Sequence, residues 1–311
     1  MLYYFLISLV FLAQFSAPLV SKNVVNLEAS FNQNEVLSLQ VNQKSTCPCK
    51  KAITPVKVSD SLGVHTTAKA AIIADQQSGA ILFQKEPEKQ LPLASITKLM
   101  TALVFLENNP GFEQIGQIGS GENNLEGARL FVKDNEKIKL EDLFYSSLVG
   151  SANNATQALV HATGLTGEEF VAKMNQKAQK LGMNHTFFVE PTGLSDQNVS
   201  TARDLVELAK ATFNNPKIKE ATTLKEYSFV TEGNKEFHKV TSPDELLGSY
   251  LNLTGTKTGF TYEAGYCLIV QAKNESGHEV IAAVLGSESS DTRFQEVKSL
   301  VFWAFNNYQW Q

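Results

Sequence analysis

The chain has 311 residues, 43% of them hydrophobic and 19% charged, with a formal net charge of −5. This is ordinary soluble-globular composition, and the length suits one large or two small domains with a sizeable core. The acidic balance argues against a nucleic-acid partner, because neutralising phosphates takes clustered Lys and Arg that the chain lacks.

Met1–Val20 holds no charged side chain, and Lys22 is the first basic residue. Such a stretch is expected to be a signal-peptide core or an N-terminal membrane anchor, which puts the rest of the chain outside the cytoplasm, in a periplasm, on a cell surface or secreted. Phe15-Ser16-Ala17 offers a small-residue cleavage site, but Pro18 follows at once, so cleavage and retention both stay open. Residues 21–67 are rich in Asn, Gln, Ser, Val and Lys without sustained period, and are expected to be a mostly irregular linker. Within it, Cys47 and Cys49 flank Pro48, a spacing that suits neither a relaxed disulfide nor a zinc site.

The folded domain is expected over residues 68–311. It opens with two apolar runs, Ala70–Ala74 and Ala80–Phe83, joined by Asp75-Gln76-Gln77-Ser78-Gly79, a hairpin signal. A strongly helical run follows from Ser95 to Leu106 and ends near Asn109-Pro110. Leu140 to about Asn214 reads as mostly helical, with segments at Glu141–Leu148, Asn154–His161, Gly167–Leu181 and Ala202–Phe213. After Pro216 the period changes to strands at Tyr227–Val230, Leu253–Gly259, Tyr266–Ala272 and Val280–Leu285, and Asn274-Glu275-Ser276-Gly277 turns between the last two. Phe294–Phe305 closes the chain as an amphipathic helix. Strands at both ends with helices between predict an α+β fold: an antiparallel sheet flanked by helices, with a mostly helical subdomain inserted.

Three short motifs carry chemistry. Ser95-Ile96-Thr97-Lys98 is the single Ser-x-x-Lys of the chain, and residues three apart on a helix share a face. A serine hydroxyl needs an adjacent base, and lysine becomes one only if its pKa falls from ~10.4 through burial or a second cation nearby. Ser151-Ala152-Asn153 lies between two expected helices, where Ser151 taken alone reads as a helix N-cap. Lys257-Thr258-Gly259 falls on a late strand, whose Gly lets a substrate backbone approach closely and pair with it.

Ser-x-x-Lys, Ser-x-Asn and Lys-Thr-Gly in that order form the signature set of penicillin-recognising enzymes. From about Ala68 to Leu285 the chain resembles the D-alanyl-D-alanine carboxypeptidases, the low-molecular-mass penicillin-binding proteins. Leu91–Met100, Pro191-Thr192-Gly193-Leu194, Ser200–Leu205 and Gly255–Leu268 carry the likeness further. The resemblance implies a penicillin-binding, β-lactamase-like transpeptidase fold and a cell-wall hydrolase that removes the terminal D-alanine from peptidoglycan stem peptides. It implies Ser95 as the acylated nucleophile, Lys98 as its base and Ser151 as a proton relay to the leaving amine. Asn153 would hold Lys98 and the substrate amide, while Lys257 and Thr258, beside Gly259, would bind the substrate carboxylate. Lys257 would also lower the pKa of Lys98. The backbone N–H groups of Ser95 and Phe260 would form the oxyanion hole, and Arg203 would either help bind the carboxylate or make a structural ion pair. β-Lactam antibiotics would be covalent inhibitors, and no metal or other cofactor is implied.

The chain departs from the pattern in two places. Glu190 stands before Pro-Thr-Gly-Leu where Asn or a similar residue is usual, and Gln311 ends the sequence without a C-terminal β domain and amphipathic helix. Membrane attachment is therefore expected from Met1–Val20. The rivals are a D,D-endopeptidase that cuts cross-links, a class A-like β-lactamase using Glu190, and a non-catalytic penicillin-fold module. The last would have lost Ser95, Lys98 or Lys257. The five His show no catalytic or zinc spacing, and Cys267, in an apolar strand, is expected to be a small core residue.

Overall fold

The structure, a computed structural model, describes residues 53–311. The expected signal or anchor segment, most of the expected linker, and Cys47 and Cys49 lie outside the described residues. Strands β1 (Ala70–Asp75), β2 (Ile81–Lys85), β3 (Asn252–Thr261), β4 (Gly265–Lys273) and β5 (Glu279–Ser287) form one antiparallel sheet in the order β3-β4-β5-β1-β2. The chain order and the spatial order differ because the helical subdomain is inserted between β2 and β3.

Successive side chains of a strand point to opposite faces, and here both faces are apolar. Ile72, Ala74, Ile281 and Ala283 join one core, whereas Ala71, Ile73, Val280 and Ala282 join a second. The second core is closed by the terminal helix, Ser290–Asn307, through Phe294, Val297, Leu300 and Val301. The first is closed by six helices: α1 (Thr97–Glu107), α2 (Leu140–Leu148), α3 (Asn153–Ala162), α4 (Gly167–Lys180), α5 (Ala202–Phe213) and α6 (Pro216–Thr223). The terminal helix is α7. Every residue of α1 from Thr97 to Phe105 is buried, so this helix runs through the centre of the subdomain rather than along its surface.

Helix ends follow local capping chemistry. Thr166 and Glu169 make a reciprocal capping box, and Thr201 and Ser289 accept from the backbone of Asp204 and Thr292. Several elements escaped the sequence reading. Helix α6 begins at Pro216, which reads as a break but is well suited to a first helical turn, with Asn215 as its cap. The pair Ile115–Ile118 and Glu136–Lys139 carries too many charges and glycines for a strand signal, and Phe237–Thr241 becomes a strand by pairing with Glu226–Val230.

Part of the expected linker is folded onto the domain. Val56–Lys57 pair with Tyr308–Gln309 just past α7. The buried Glu296 carboxylate on α7 accepts from the Thr67 hydroxyl at 2.9 Å, the Ala68 N–H at 3.2 Å, and also from the Thr67 N–H and the Ser287 hydroxyl. Among the described residues no helix is long and apolar enough to cross a membrane. Glu296→Ala would leave several buried donors without a partner, at ~1–3 kcal/mol for such a group. The variant should lose about 2 kcal/mol in urea unfolding, with a lower midpoint and an unchanged slope. A change below about 0.5 kcal/mol would show that the carboxylate does not hold this segment.

Candidate active site

Ser95 sits in a single 3₁₀ turn, Ala94–Ile96, that runs into α1. Ala94 has φ +47°, a left-handed conformation that costs a residue with a side chain ~1–3 kcal/mol and clusters at functional sites. One turn on, Lys98 is fully buried. Its Nζ lies 3.0 Å from Ser95 Oγ, 2.6 Å from Asn153 Oδ1 and 2.6 Å from the Thr192 carbonyl oxygen. Burial holds the Lys98 pKa well below the usual lysine value, the Lys257 ammonium lowers it further, and the Glu190 carboxylate opposes them in part.

A neutral lysine amine has two hydrogens and one lone pair. Asn153 Oδ1 and the Thr192 carbonyl can only accept, so they take the two hydrogens and leave the lone pair facing the Ser95 hydroxyl. Asn153 is itself held, because its Nδ2 donates to the Glu126 carbonyl at 2.7 Å. It opens α3, and Ala152 is the N-cap. Ser151 is therefore not a helix cap. It lies in the left-handed region at φ +56°, and its hydroxyl oxygen is 2.9 Å from Lys257 Nζ.

Lys257, on β3, is buried as well and also donates to the Thr258 carbonyl at 3.1 Å. Burial lowers its pKa to about 7, with Asp244 opposing and Arg293 adding to the fall. A cleft of about 240 Å³ opens above these groups, lined among others by Ser95, Ser151, Asn153, Thr258, Gly259 and Phe260. The glycine of Lys-Thr-Gly is needed by the enzyme's own backbone. A Cβ on Gly259 would lie 2.8 Å from the Leu93 carbonyl oxygen and 3.3 Å from Ser95 N, so only glycine lets β3 run this close to the Ser95 turn. Phe260 then stacks on Tyr266 at 4.4 Å and forms one wall of the cleft.

Arg203 is not brought to this cleft. Its guanidinium pairs with Glu88 and donates to Gln84 Oε1 at 2.9 Å, in a different and exposed part of the surface. The cation that does line the cleft beside Thr258 is Arg293, which donates to the Gly259 carbonyl at 3.1 Å. Sequence reasoning passed over Arg293, although it falls on the buried stripe of α7 with Val297, Leu300 and Val301, an unusual place for an arginine. Glu190 does not line the cleft. Its carboxylate is taken up by the loop that follows it.

The model of the D-alanyl-D-alanine carboxypeptidase family matches residues 55–289. The chain belongs to this family. It is a serine-type D-Ala-D-Ala carboxypeptidase, a penicillin-binding hydrolase of the cell wall. A D-alanyl-D-alanine endopeptidase of Pseudomonas aeruginosa is 32% identical over 262 residues, covering 83% of this chain and 84% of that protein. The D-alanyl-D-alanine carboxypeptidase DacF of Bacillus subtilis is 30% identical over 247 residues, covering 78% of this chain but 63% of the relative. The solved D-alanyl-D-alanine carboxypeptidase of Mycobacterium tuberculosis superposes with a TM-score of 0.73 at 27% identity, over 81% of this chain and 96% of that one.

The tight fit of the Pro191–Leu194 loop against the Ser95 turn gives a direct test. Gly193 has φ +88°, and a Cβ there would lie 1.9 Å from the Ala94 carbonyl oxygen. Gly193→Ala must push the Ser95 turn aside, and a displacement near 1 Å typically costs about 100-fold in rate. Stopped-flow acylation by a fluorescent penicillin should slow by about that factor. Acylation at the wild-type rate would contradict the packing described here.

Proposed function

We propose that Ser95 is the nucleophile and that it cleaves peptidoglycan stem peptides ending in D-Ala-D-Ala. The observation that carries this reading is the lone pair of Lys98, fixed on Ser95 Oγ by two acceptors at 2.6 Å each. Lys98 takes the Ser95 proton as Oγ attacks the carbonyl carbon of the penultimate D-Ala. The tetrahedral oxyanion is received by the Ser95 and Phe260 backbone N–H groups, where one such donor is worth ~3 kcal/mol. The C–N bond then breaks. The leaving amine of the terminal D-Ala takes a proton relayed through Ser151, which contacts Lys257 at 2.9 Å. Water hydrolyses the Ser95 ester by the same route in reverse, releasing the shortened peptide and restoring the Ser95 hydroxyl.

The terminal carboxylate of the substrate meets Thr258, Lys257 and Arg293. Its negative charge favours the ammonium of Lys257, whose pKa burial lowers to about 7. A charged Lys257 in turn disfavours protonation of Lys98, so a correctly placed carboxylate keeps the base neutral. Asn153 holds Lys98, and its remaining contact with substrate is to the peptide amide. A β-lactam, which carries a carboxylate next to an acylating carbonyl, uses the same groups and leaves an ester on Ser95.

A second reading is favoured by one observation. The P. aeruginosa relative is named an endopeptidase and is matched over 84% of its length, whereas the match to DacF leaves over a third of that protein uncovered. Cleaving D-Ala bonds in cross-links needs the same catalytic groups and a cleft that accepts a longer leaving amine. Met1–Val20 would deliver the enzyme to the outside of the cytoplasmic membrane as a signal or retained anchor.

Three arms test this function. Ser95→Ala should lose all covalent labelling by a fluorescent penicillin, and a labelled Ser95→Ala would refute the nucleophile. Wild-type enzyme should release free D-Ala from a D-Ala-D-Ala pentapeptide, while preferential cleavage of a cross-linked dimer would favour the endopeptidase. The pH profile of kcat/KM should fall on the acid side as Lys98 gains a proton and loses its lone pair, and on the alkaline side as Lys257 loses its charge. A flat profile into strong acid would contradict a lysine base.

A further inference from the structure

We propose that Glu190 is a positioning residue for acyl transfer, acting by fixing the Thr192 carbonyl against Lys98. This inference rests on the reading of Lys98 as the base. Residues 190–198 form a loop that carries no regular structure and lies against the nucleophile helix. A loop of that kind holds a carbonyl to within a fraction of an ångström only if its backbone is tied down. Glu190 does this with its whole carboxylate. Oε2 accepts from the Thr192 N–H and the Thr192 hydroxyl, both at 2.6 Å. Oε1 accepts from the Gly193 N–H at 2.6 Å, from Asn198 Nδ2 at 2.8 Å and more distantly from the Ser195 N–H at 3.4 Å.

The backbone N–H groups and the Asn198 amide can only donate, and the Thr192 hydroxyl can donate as well, so an ionised carboxylate, which is acceptor-only, complements this loop. Two consecutive peptide N–H groups, of Thr192 and Gly193, point at the carboxylate, which turns the Thr192 carbonyl the other way, onto Lys98 Nζ at 2.6 Å. The loop is then pinned to α1. Thr101 donates to the Pro191 carbonyl at 2.6 Å, and Asn198 Nδ2 bridges the Glu190 carbonyl at 2.9 Å and the Thr97 hydroxyl at 3.2 Å. Thr97, Lys98 and Thr101 thus all direct polar atoms at this one loop. Glu190 is also, with Lys257, one of the two charged groups that face Lys98, and it is the one that favours the ammonium.

The same geometry answers the β-lactamase alternative. A carboxylate that activates a deacylating water must present a free oxygen to the cleft. Both Glu190 oxygens are engaged by the loop, and the residue does not line the cleft. Glu190 therefore works through Lys98 and not on water.

The test is the pH dependence of Ser95 acylation by a fluorescent penicillin at saturation, which separates the first-order step from binding. Glu190→Gln sets an amide NH₂ against either the Thr192 donors or the Gly193 N–H and removes a negative charge near Lys98. The first-order constant should fall about 100-fold with little change in the half-saturating concentration. The acid limb should also move to lower pH, because Lys98 loses both a carbonyl acceptor and the neighbouring anion that favour its ammonium form. Glu190→Asp keeps the charge with a shorter reach, and should recover part of the rate and hold the limb nearer to its wild-type position.

A Glu190→Gln enzyme whose limb stays at the wild-type pH, at whatever rate, overturns the inference, since a merely structural residue lowers the rate without moving the limb. A rate within threefold of wild type overturns it too. If Glu190→Gln does not fold, the decision passes to Glu190→Asp, where a fully wild-type rate overturns the inference, because the shorter side chain cannot hold the Thr192 carbonyl in the same place. Lys98→Ala, run in parallel, keeps the two claims apart. Acylation that survives in Lys98→Ala removes the base itself, whereas its loss there with an unmoved limb in Glu190→Gln removes Glu190 alone.

Discussion

A lysine amine with no access to water governs the design of this site. An ammonium buried without full compensation is costly, so the group sheds its proton and becomes a base at a pH where free lysine is inert. Complete burial moves the Lys98 pKa in that direction, and Lys257 nearby adds a like charge. Burial alone would yield a neutral amine with no preferred direction. The Asn153 side chain and the Thr192 carbonyl supply the direction, because they leave one tetrahedral position of the nitrogen for the Ser95 hydroxyl.

The rest of the fold can be understood as the means of bringing those acceptors together. Ser95 and Lys98 come from the start of α1, Asn153 from the start of α3, Thr192 from a loop, and Lys257 from β3. α1 is buried on all sides, so its first turn cannot drift relative to the sheet. Two glycines, Gly193 and Gly259, let the loop and β3 reach van der Waals contact with the backbone of that turn. Left-handed backbone at Ala94 and Ser151 marks the strain held beside both serine hydroxyls.

Much of this was legible in the chain because it depends on local pattern. β1, β4 and β5 are short apolar runs bounded by turn residues, and α5 begins at Ala202 and ends at Phe213, as its period indicates. The three motifs were legible through order and placement, and the structure joins Ser95, Lys98 and Asn153 directly, with Lys257 joined to Ser151. What escaped notice depends on partners distant in sequence. Arg203 is drawn away by Glu88, and Arg293 reaches the cleft from a helix that otherwise packs the second core. Glu190 stood out as an odd residue before Pro-Thr-Gly-Leu, but the direction of its carboxylate follows from loop geometry that no period encodes. Gly259 was read as room for substrate, and its tightest constraint is the Leu93 carbonyl.

The most direct measurement is the titration of Lys98 itself, followed by heteronuclear NMR of lysine side chains labelled at Cε and Nζ and assigned through Lys98→Arg. Lys98 is expected to titrate well below the ordinary ~10.4 of surface lysines. Lys257→Ala, by removing the neighbouring charge, should move that titration upward. A Lys98 signal that titrates together with the surface lysines and ignores Lys257→Ala would contradict the claim that a buried, neutral amine drives acyl transfer.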